Sequence, residues 1–228
     1  MIADNIARVR ARIERACLDA GRRVESVTLL PVSKRCAVPA LREALDAGVR
    51  RFGENLVQEG IGKIEALVDR RADIEWHLIG PLQSNKTRLV ADRFDWVHTI
   101  DRLKVAERLA MQRPASLGPL QVCVQVNVSG EASKSGATPE TAEALALAVA
   151  TLPRLRLRGL MAIPAPVAGF EAQRVPHRFL RRLFERLCSQ GLQLDTLSMG
   201  MSDDLEAAIA EGSTMVRVGT AIFGSRSA

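Results

Sequence analysis

Short apolar runs alternate with helix-forming stretches along almost the whole chain of 228 residues. An opening helix is predicted over 2–20, because Ile6, Val9 and Ile13 recur at helical spacing. Eight strands are predicted after it, at 27–33, 49–52, 75–79, 95–99, 121–127, 156–162, 195–199 and 215–218. Seven more helices are predicted near 39–47, 54–69, 84–91, 102–112, 139–151, 171–190 and 203–211. Strands and helices in this order build a parallel sheet covered by helices.

This order predicts an α/β fold, a single (β/α)8 TIM barrel with an extra N-terminal helix, formed by residues 1–228 as one domain. Turn signals such as Gly80-Pro81 separate the units, and no linker, low-complexity tract or repeat divides the chain. A doubly wound open sheet shows the same alternation and stays the alternative. Against it, no Gly-x-Gly-x-x-Gly follows the first predicted strand.

Composition restricts the classes of partner. The formal net charge of +6 admits nucleic acid, but the arginines are spread over helices, and two Trp, six Phe and no Tyr offer few rings for base stacking. No run of about 20 apolar residues is present to span a membrane. The first residues lack the pattern of a secretory signal, and the four scattered cysteines suggest reduced thiols. We therefore expect a cytoplasmic protein with neither nucleic acid nor membrane as partner, and no zinc site.

One lysine lies where a barrel carries its chemistry. Functional residues of this fold lie at the carboxyl ends of the strands, and Lys34 directly follows the first predicted strand. A lysine buried at such a place favours the neutral, nucleophilic amine, which can condense with an aldehyde. The alternative is that Lys34 is simply the first solvated residue of a loop.

Two segments near the end of the chain are suited to a phosphate. Gly219 allows close approach of the backbone, and the N–H groups of Gly219 and Thr220 can form an anion-binding nest. The earlier segment offers the hydroxyl of Ser202, although Asp203 and Glu206 also resemble a capping box that only starts a helix. A lysine for an aldehyde and a site for a phosphate together predict pyridoxal 5'-phosphate (PLP) as the cofactor.

Other polar residues on the same face each have more than one interpretation or no assigned step. An inward Arg217 needs a partner, which can be a pyridine nitrogen, a phosphate, or a carboxylate such as Asp203 or Glu54. His77 and His98 suggest acid–base chemistry, but the alternation around His77 favours a core histidine. Further polar residues are expected to line the site without an assigned step, namely Asn55, Lys86 and Asn127. Lys134 fits either a lid or plain surface.

Several segments, in order along almost the whole chain, resemble the pyridoxal phosphate homeostasis protein family, which is related to the N-terminal barrel of bacterial alanine racemase. The matching segments are 31–34, 51–59, 76–86, 125–131, 134–136, 159–161, 198–203 and 217–224. The resemblance implies that Lys34 forms an aldimine (a Schiff base) with PLP and that Arg217 lies near the ring nitrogen. The cofactor-binding residues expected are Lys34, Asn55, Met199, Gly200, Ser202, Arg217, Gly219 and Thr220.

These residues have distinct implied roles. Ser202, Gly219 and Thr220 form a phosphate cup, and the turn at Met199-Gly200 lies against the cofactor. The chain departs from the family at Leu56, where members often carry an aromatic residue, so a contact with the ring edge is not expected there.

The resemblance favours a carrier over an enzyme. Racemisation commonly needs two bases, and in alanine racemase these are a lysine and a tyrosine of the neighbouring subunit. This chain has no tyrosine, ends soon after the eighth predicted strand, and places an arginine where a protonated ring nitrogen would serve as electron sink. We expect a PLP-binding protein, monomeric or weakly dimeric, that buffers PLP or delivers it to apo forms of PLP-dependent enzymes, without efficient racemase activity. The alternative is a PLP-dependent racemase or lyase with a substitute base such as His77.

Overall fold

A computed structural model describes residues 1–130 and 135–224, so the prediction for Lys134 lies outside the described residues. Within them, one sheet contains eight parallel strands in the order β1-β8-β7-β6-β5-β4-β3-β2. The strands are β1 Thr28–Pro31, β2 Arg51–Glu54, β3 Glu75–Leu78, β4 Trp96–Ile100, β5 Leu120–Gln125, β6 Leu155–Met161, β7 Thr196–Ser198 and β8 Met215–Val218. The barrel is closed between β1 and β2, where Val32 bridges Gly53 and the N–H of Ser33 donates to the Gly53 carbonyl at 3.0 Å. The predicted barrel is confirmed, and the open sheet is excluded.

Helices cover the outside of this barrel. They are α1 Ile2–Asp19, α2 Val38–Asp46, α3 Val57–Ala66, α4 Thr87–Arg93, α5 Leu103–Gln112, α6 Pro139–Ala150, α7 Phe170–Ser189, α8 Leu205–Ala210 and α9 Thr220–Phe223. Short 3-10 helices lie at Val24–Ser26, Val68–Asp73 and Ser84–Lys86. The sequence did not predict α9, and the helix predicted over 54–69 starts only at Val57, because β2 continues to Glu54. No helix in the described part of the chain is both long and apolar enough to cross a membrane.

The apolar residues form one large core and two small ones. The large core lies between the strands and the helices, and Phe52, Trp76 and Phe94 are fully buried in it. Inside the barrel, one small cluster joins Leu30, Ile79 and Met215, and another joins Trp96, Cys123 and Met161. Polar side chains are buried beside these two clusters, namely His77, His98, Ser198 and Arg217. The barrel interior is therefore filled, but only partly by apolar groups.

The extra N-terminal helix is present and is packed against the rest of the fold. Its apolar face, with Ile6 and Val9 among its residues, is buried in the main core. From the same helix, Arg12 donates to the carbonyl of Ser202 at 3.0 Å and pairs with Glu206 at 2.9 Å. Helix α1 therefore supports the segment between β7 and α8.

Candidate ligand-binding site

A cavity of about 930 Å³ opens at the carboxyl ends of the strands. Its wall is formed by Val32, Lys34, Arg35, Cys36, Ala37, Ala40, Asn55, Ile79, Ile163, Met201, Ser202, Asp203, Arg217, Gly219, Thr220, Phe223 and Gly224. Six of the eight expected cofactor-binding residues are in this wall, and they follow β1, β2, β7 and β8 or lie within β8. The structure therefore brings together residues that are up to 186 positions apart, from Lys34 to Thr220.

Lys34 lies in the turn between β1 and α2. Strand β1 ends at Pro31, three residues before Lys34, and Lys34 itself is half-buried. The expectation of a lysine buried at the end of the strand is therefore wrong. Within residues 1–130 and 135–224, its amine has no hydrogen-bond or ion-pair partner. The next residue, Arg35, has a φ of 61°, and its N–H donates to the carboxylate of Glu59. The turn is thereby fixed while the amine stays available to a ligand.

A buried ion-pair cluster, which we call the Lys63 clamp (Ser33, Glu54, Glu59 and Lys63), holds this turn. The ammonium of Lys63 donates to the Ser33 carbonyl at 2.5 Å, to Glu54 Oε1 at 2.8 Å and to Glu59 Oε1 at 2.7 Å. The hydroxyl of Ser33 donates to the same Glu54 oxygen at 2.5 Å. The clamp therefore contacts the backbone on both sides of Lys34, through Ser33 and through Arg35.

Burial has the largest effect on the pKa of Glu54, the buried carboxylate of the clamp. Glu54 is fully buried, and burial raises its pKa above the ordinary value of 4.5, while hydrogen bonds from Lys63 and Ser33 act in the opposite direction. Sequence reasoning missed the clamp. Its only signal is the i, i+4 spacing of Glu59 and Lys63, which usually indicates an exposed helix pair.

Arg217 is a buried cation at the floor of the cavity. Only 3% of the residue is exposed. Its Nη1 donates to Ser198 Oγ at 2.7 Å and its Nη2 donates to the Ala162 carbonyl at 2.8 Å. Burial lowers the pKa of Arg217 to about 10, so it remains charged at neutral pH. Among the described residues no carboxylate pairs directly with it, and the alternative of a pair with Asp203 or Glu54 is therefore wrong.

The candidate phosphate-binding groups lie on the two segments expected from the sequence. Ser202 is half-buried, and Arg12 holds its carbonyl. Gly219 packs so closely on the residue that follows β1 that an added Cβ would lie 3.2 Å from the Val32 carbonyl oxygen. Thr220 starts α9, and the first N–H groups of a helix have no partner within it. Ser202, Gly219 and Thr220 therefore lie together in the wall of the cavity.

The expected capping box is wrong. Helix α8 starts at Leu205, and the residue before it is Asp204, not Asp203. The Asp204 carboxylate accepts the N–H of Met201 at 2.6 Å and contacts His177 at 2.9 Å, while Glu206 pairs with Arg12. Asp204 thus fixes the turn between β7 and α8, and Asp203 is exposed in the cavity wall.

Met199 and Gly200 are the two expected residues that do not belong to the described wall of the cavity. Met199 is fully buried in the main core. Gly200 has a φ of +93° and accepts the N–H of Arg217 at 2.9 Å, and a Cβ at Gly200 would lie 2.5 Å from that of Ala208. The two residues shape the turn beneath the site, and Met201 and Ser202 form the wall instead.

Four further residues singled out in the sequence also lie away from the described wall. His77 is fully buried inside the barrel with two hydrogen-bond partners, as expected of a core histidine. Lys86 and Asn127 are half-buried, and Leu56 is 60% exposed. Within the described residues, no group of three or more His, Cys, Asp or Glu side chains is arranged to hold a metal ion.

A comparison with protein families shows to which class of fold the chain belongs. The family described as alanine racemase, N-terminal domain, matches residues 2–227. The solved structure of alanine racemase from Clostridium difficile has a TM-score of 0.77 and covers 99% of this chain and 58% of its own. At 15% identity this likeness shows the fold alone. The chain is built on the alanine racemase N-terminal barrel.

Relatives of higher identity narrow the assignment. The pyridoxal phosphate homeostasis protein of Pseudomonas aeruginosa is 60% identical over 225 residues, which are 99% of this chain and 96% of that protein. The protein of the same name from Escherichia coli K12 is 57% identical over 226 residues, 99% of this chain and 97% of that protein. A structure of PipY from Synechococcus elongatus with PLP bound has a TM-score of 0.86 at 37% identity and covers 98% of this chain and 100% of its own. The chain belongs to the pyridoxal phosphate homeostasis protein family.

Proposed function

We propose that this protein binds PLP through an aldimine to Lys34 and serves intracellular PLP homeostasis by buffering or delivering the cofactor, without efficient racemase activity. The observation that carries the proposal is the amine of Lys34, which has no partner among the described residues and faces the cavity that also holds Arg217. Condensation of this amine with an aldehyde forms a carbon–nitrogen double bond and releases water. A relative at 37% identity has been solved with PLP bound.

The residues present fit such a cofactor. The volume of about 930 Å³ lies in the range of small-molecule sites. Lys34 would hold the aldehyde carbon, and the hydroxyls and N–H groups of Ser202, Gly219 and Thr220 would hold the phosphate. Arg217 would face the ring nitrogen as a donor, and Asn55 would add a polar contact at the wall. PLP supplies an electron-withdrawing ring when it is bound, and the protein decides whether that property is used.

The groups in the wall support a carrier rather than a racemase. No histidine belongs to the described wall, and the chain has no tyrosine to act as a second base. Because Arg217 donates hydrogen bonds and stays charged at neutral pH, it opposes protonation of a neighbouring ring nitrogen. An unprotonated ring nitrogen is the weaker electron sink. We infer that the bound cofactor is kept in a resting state and remains available for release.

An absorption spectrum tests the covalent site. Purified protein mixed with PLP should show a visible imine band that borohydride abolishes. The Lys34→Ala variant should lack the band, and a Lys86→Ala variant is the matched control, because Lys86 follows β3 and does not belong to the described wall. Loss of the band in both variants, or in neither, contradicts the assignment.

A chirality assay tests the second part of the proposal. The PLP-loaded protein, incubated with L-alanine or D-alanine, should leave the chirality of the amino acid unchanged over many hours. Rapid formation of the other enantiomer would overturn the carrier assignment in favour of a racemase. Transfer is tested separately, by mixing the loaded protein with an apo PLP-dependent enzyme and following recovery of that enzyme's activity.

A further inference from the structure

A continuous chain of hydrogen bonds runs through the barrel interior, from the floor of the cavity toward the amino ends of the strands. We call it the polar column, and its members are Arg217, Ser198, His98, His77 and Glu75. The successive distances are 2.7 Å from Arg217 Nη1 to Ser198 Oγ, 2.8 Å to His98 Nδ1, 2.9 Å from His98 Nε2 to His77 Nδ1, and 2.8 Å from His77 Nε2 to Glu75 Oε1. The column joins four strands that are not all neighbours, β8, β7, β4 and β3.

The donors at one end and acceptors at the other fix the direction of the column. A guanidinium only donates, so Ser198 accepts from Arg217 and gives its own proton to His98 Nδ1. His98 then carries its proton on Nε2 and donates to His77 Nδ1. His77 donates from its own Nε2 to Glu75, whose carboxylate only accepts. Every member is satisfied when both histidines are neutral Nε2–H tautomers.

The surroundings favour this state of the histidines. Both rings are fully buried, and burial lowers the pKa of each. The indole of Trp96 is stacked on His77, with ring centroids 5.1 Å apart and planes at 15°. At the end of the column, burial acts to raise the pKa of Glu75, but the hydrogen bond from His77 and the charges nearby outweigh it and lower the pKa to about 2, so the carboxylate is ionised at neutral pH.

The far end of the column reaches solvent. The side chain of Glu75 is 40% exposed and lies 3.4 Å from Arg51. It belongs to the wall of a second cavity, of about 630 Å³, which is distinct from the proposed cofactor cavity. A change at Glu75 therefore leaves the wall of the cofactor cavity untouched.

We propose that Glu75 is a positioning residue for the cofactor site, acting through the polar column to set the direction of the hydrogen bonds that orient Arg217. The proposal rests on the proposed function, since it assigns Arg217 to the bound ring. A column of this kind has two possible directions. In the reverse one, His98 donates to Ser198, which then receives two donors, and its hydroxyl proton has no acceptor in the column. Arg217 at one end and the carboxylate of Glu75 at the other both favour the forward direction, and an amide at position 75 removes the contribution of Glu75 because it can donate as well as accept.

The first experiment uses the protein without cofactor. Long-range ¹H–¹⁵N NMR of the histidine side chains should show His77 and His98 as neutral Nε2–H tautomers in the wild type. In the Glu75→Gln variant, part or all of the signal should shift to the Nδ1–H tautomer. A cationic or Nδ1-protonated ring in the wild type, or identical tautomers in the variant, would overturn the column.

The second experiment measures the bound cofactor. Glu75→Gln should shift the absorption band of bound PLP and weaken PLP binding about tenfold. Asp73→Asn is the matched control, because Asp73 lines the same second cavity but bonds Arg70 and lies outside the column; it should leave both unchanged. An unshifted band with unchanged affinity in Glu75→Gln refutes the positioning role. Failure of the wild type to form any borohydride-sensitive band would instead refute the proposed function. The tautomer experiment would still test the polar column, because it uses the protein without cofactor.

Discussion

Replacing Lys63 with methionine should strongly destabilise the protein. Lys63 is 5% exposed and donates three hydrogen bonds, one of them to Glu54, which is fully buried. Methionine keeps most of the packing of the alkyl stem, so the change removes mainly the charge and the hydrogen bonds. Because a buried carboxylate is then left without its cation, we expect the free energy of unfolding at neutral pH to fall by roughly 3–5 kcal/mol.

The loss of unfolding free energy in Lys63→Met should be smaller at acidic pH than at neutral pH. Burial already raises the pKa of Glu54, and the ammonium of Lys63 lowers it, so the substitution raises the pKa further. A carboxyl group whose pKa is higher in the folded than in the unfolded chain binds its proton more tightly when folded. Its contribution to stability is present below the unfolded pKa and is lost as the pH rises through the folded pKa. Near pH 4.5, where Glu54 is protonated in the folded variant, the loss of unfolding free energy should therefore shrink to about 1 kcal/mol. What remains is mainly the missing hydrogen bond from Lys63 to the Ser33 carbonyl.

Urea unfolding followed by circular dichroism at both pH values measures this effect. Lys104→Met is the control, because Lys104 is an exposed lysine of α5, and its replacement should change the stability by less than about 0.5 kcal/mol. A deficit for Lys63→Met that is equal at the two pH values would refute the electrostatic account of the clamp. A deficit no larger than that of the control would refute the clamp itself.

Three further predictions follow from single contacts. Gly200→Ala should destabilise the protein by roughly 1–3 kcal/mol, because Gly200 has a φ of +93° and its added Cβ would meet Ala208; an unchanged midpoint of thermal unfolding would contradict this. The double variant Ser202→Ala, Thr220→Val should weaken binding of PLP about tenfold but leave pyridoxal unaffected, and equal losses in titrations with the two ligands would argue against a phosphate site there. Arg12→Ala should cost about 1 kcal/mol and accelerate PLP release, since Arg12 holds the Ser202 carbonyl at 3.0 Å; unchanged release measured by stopped-flow absorbance would show that α1 does not support the site.

The fold was predictable because its signal is repeated. Each strand is a short buried run, and eight runs alternating with helical stretches leave few architectures open. Errors concern short or locally decided elements. Helix α9 has only four residues, Thr220–Phe223, too few to show a period. The start of α8 depends on the contacts of Asp204 with Met201 and His177, and the sequence does not show which acid will make them.

The site was predictable in part for the same reason. The barrel rule brings residues at the ends of different strands to one face, so Lys34 and Arg217 could be expected to share a cavity. The clamp and the polar column could not be read in this way. His98 and Ser198 are 100 residues apart and meet only because β4 and β7 face each other across the barrel. Sequence spacing indicates that a side chain points inward, but it does not identify the side chain that it meets there.

Mass spectrometry of the borohydride-treated complex tests the central claim most directly. Protein loaded with PLP, reduced and digested should yield one modified peptide, with the pyridoxyl phosphate group on Lys34. Modification spread over several exposed lysines, or located at a single other lysine with Lys34 unmodified, would contradict the account.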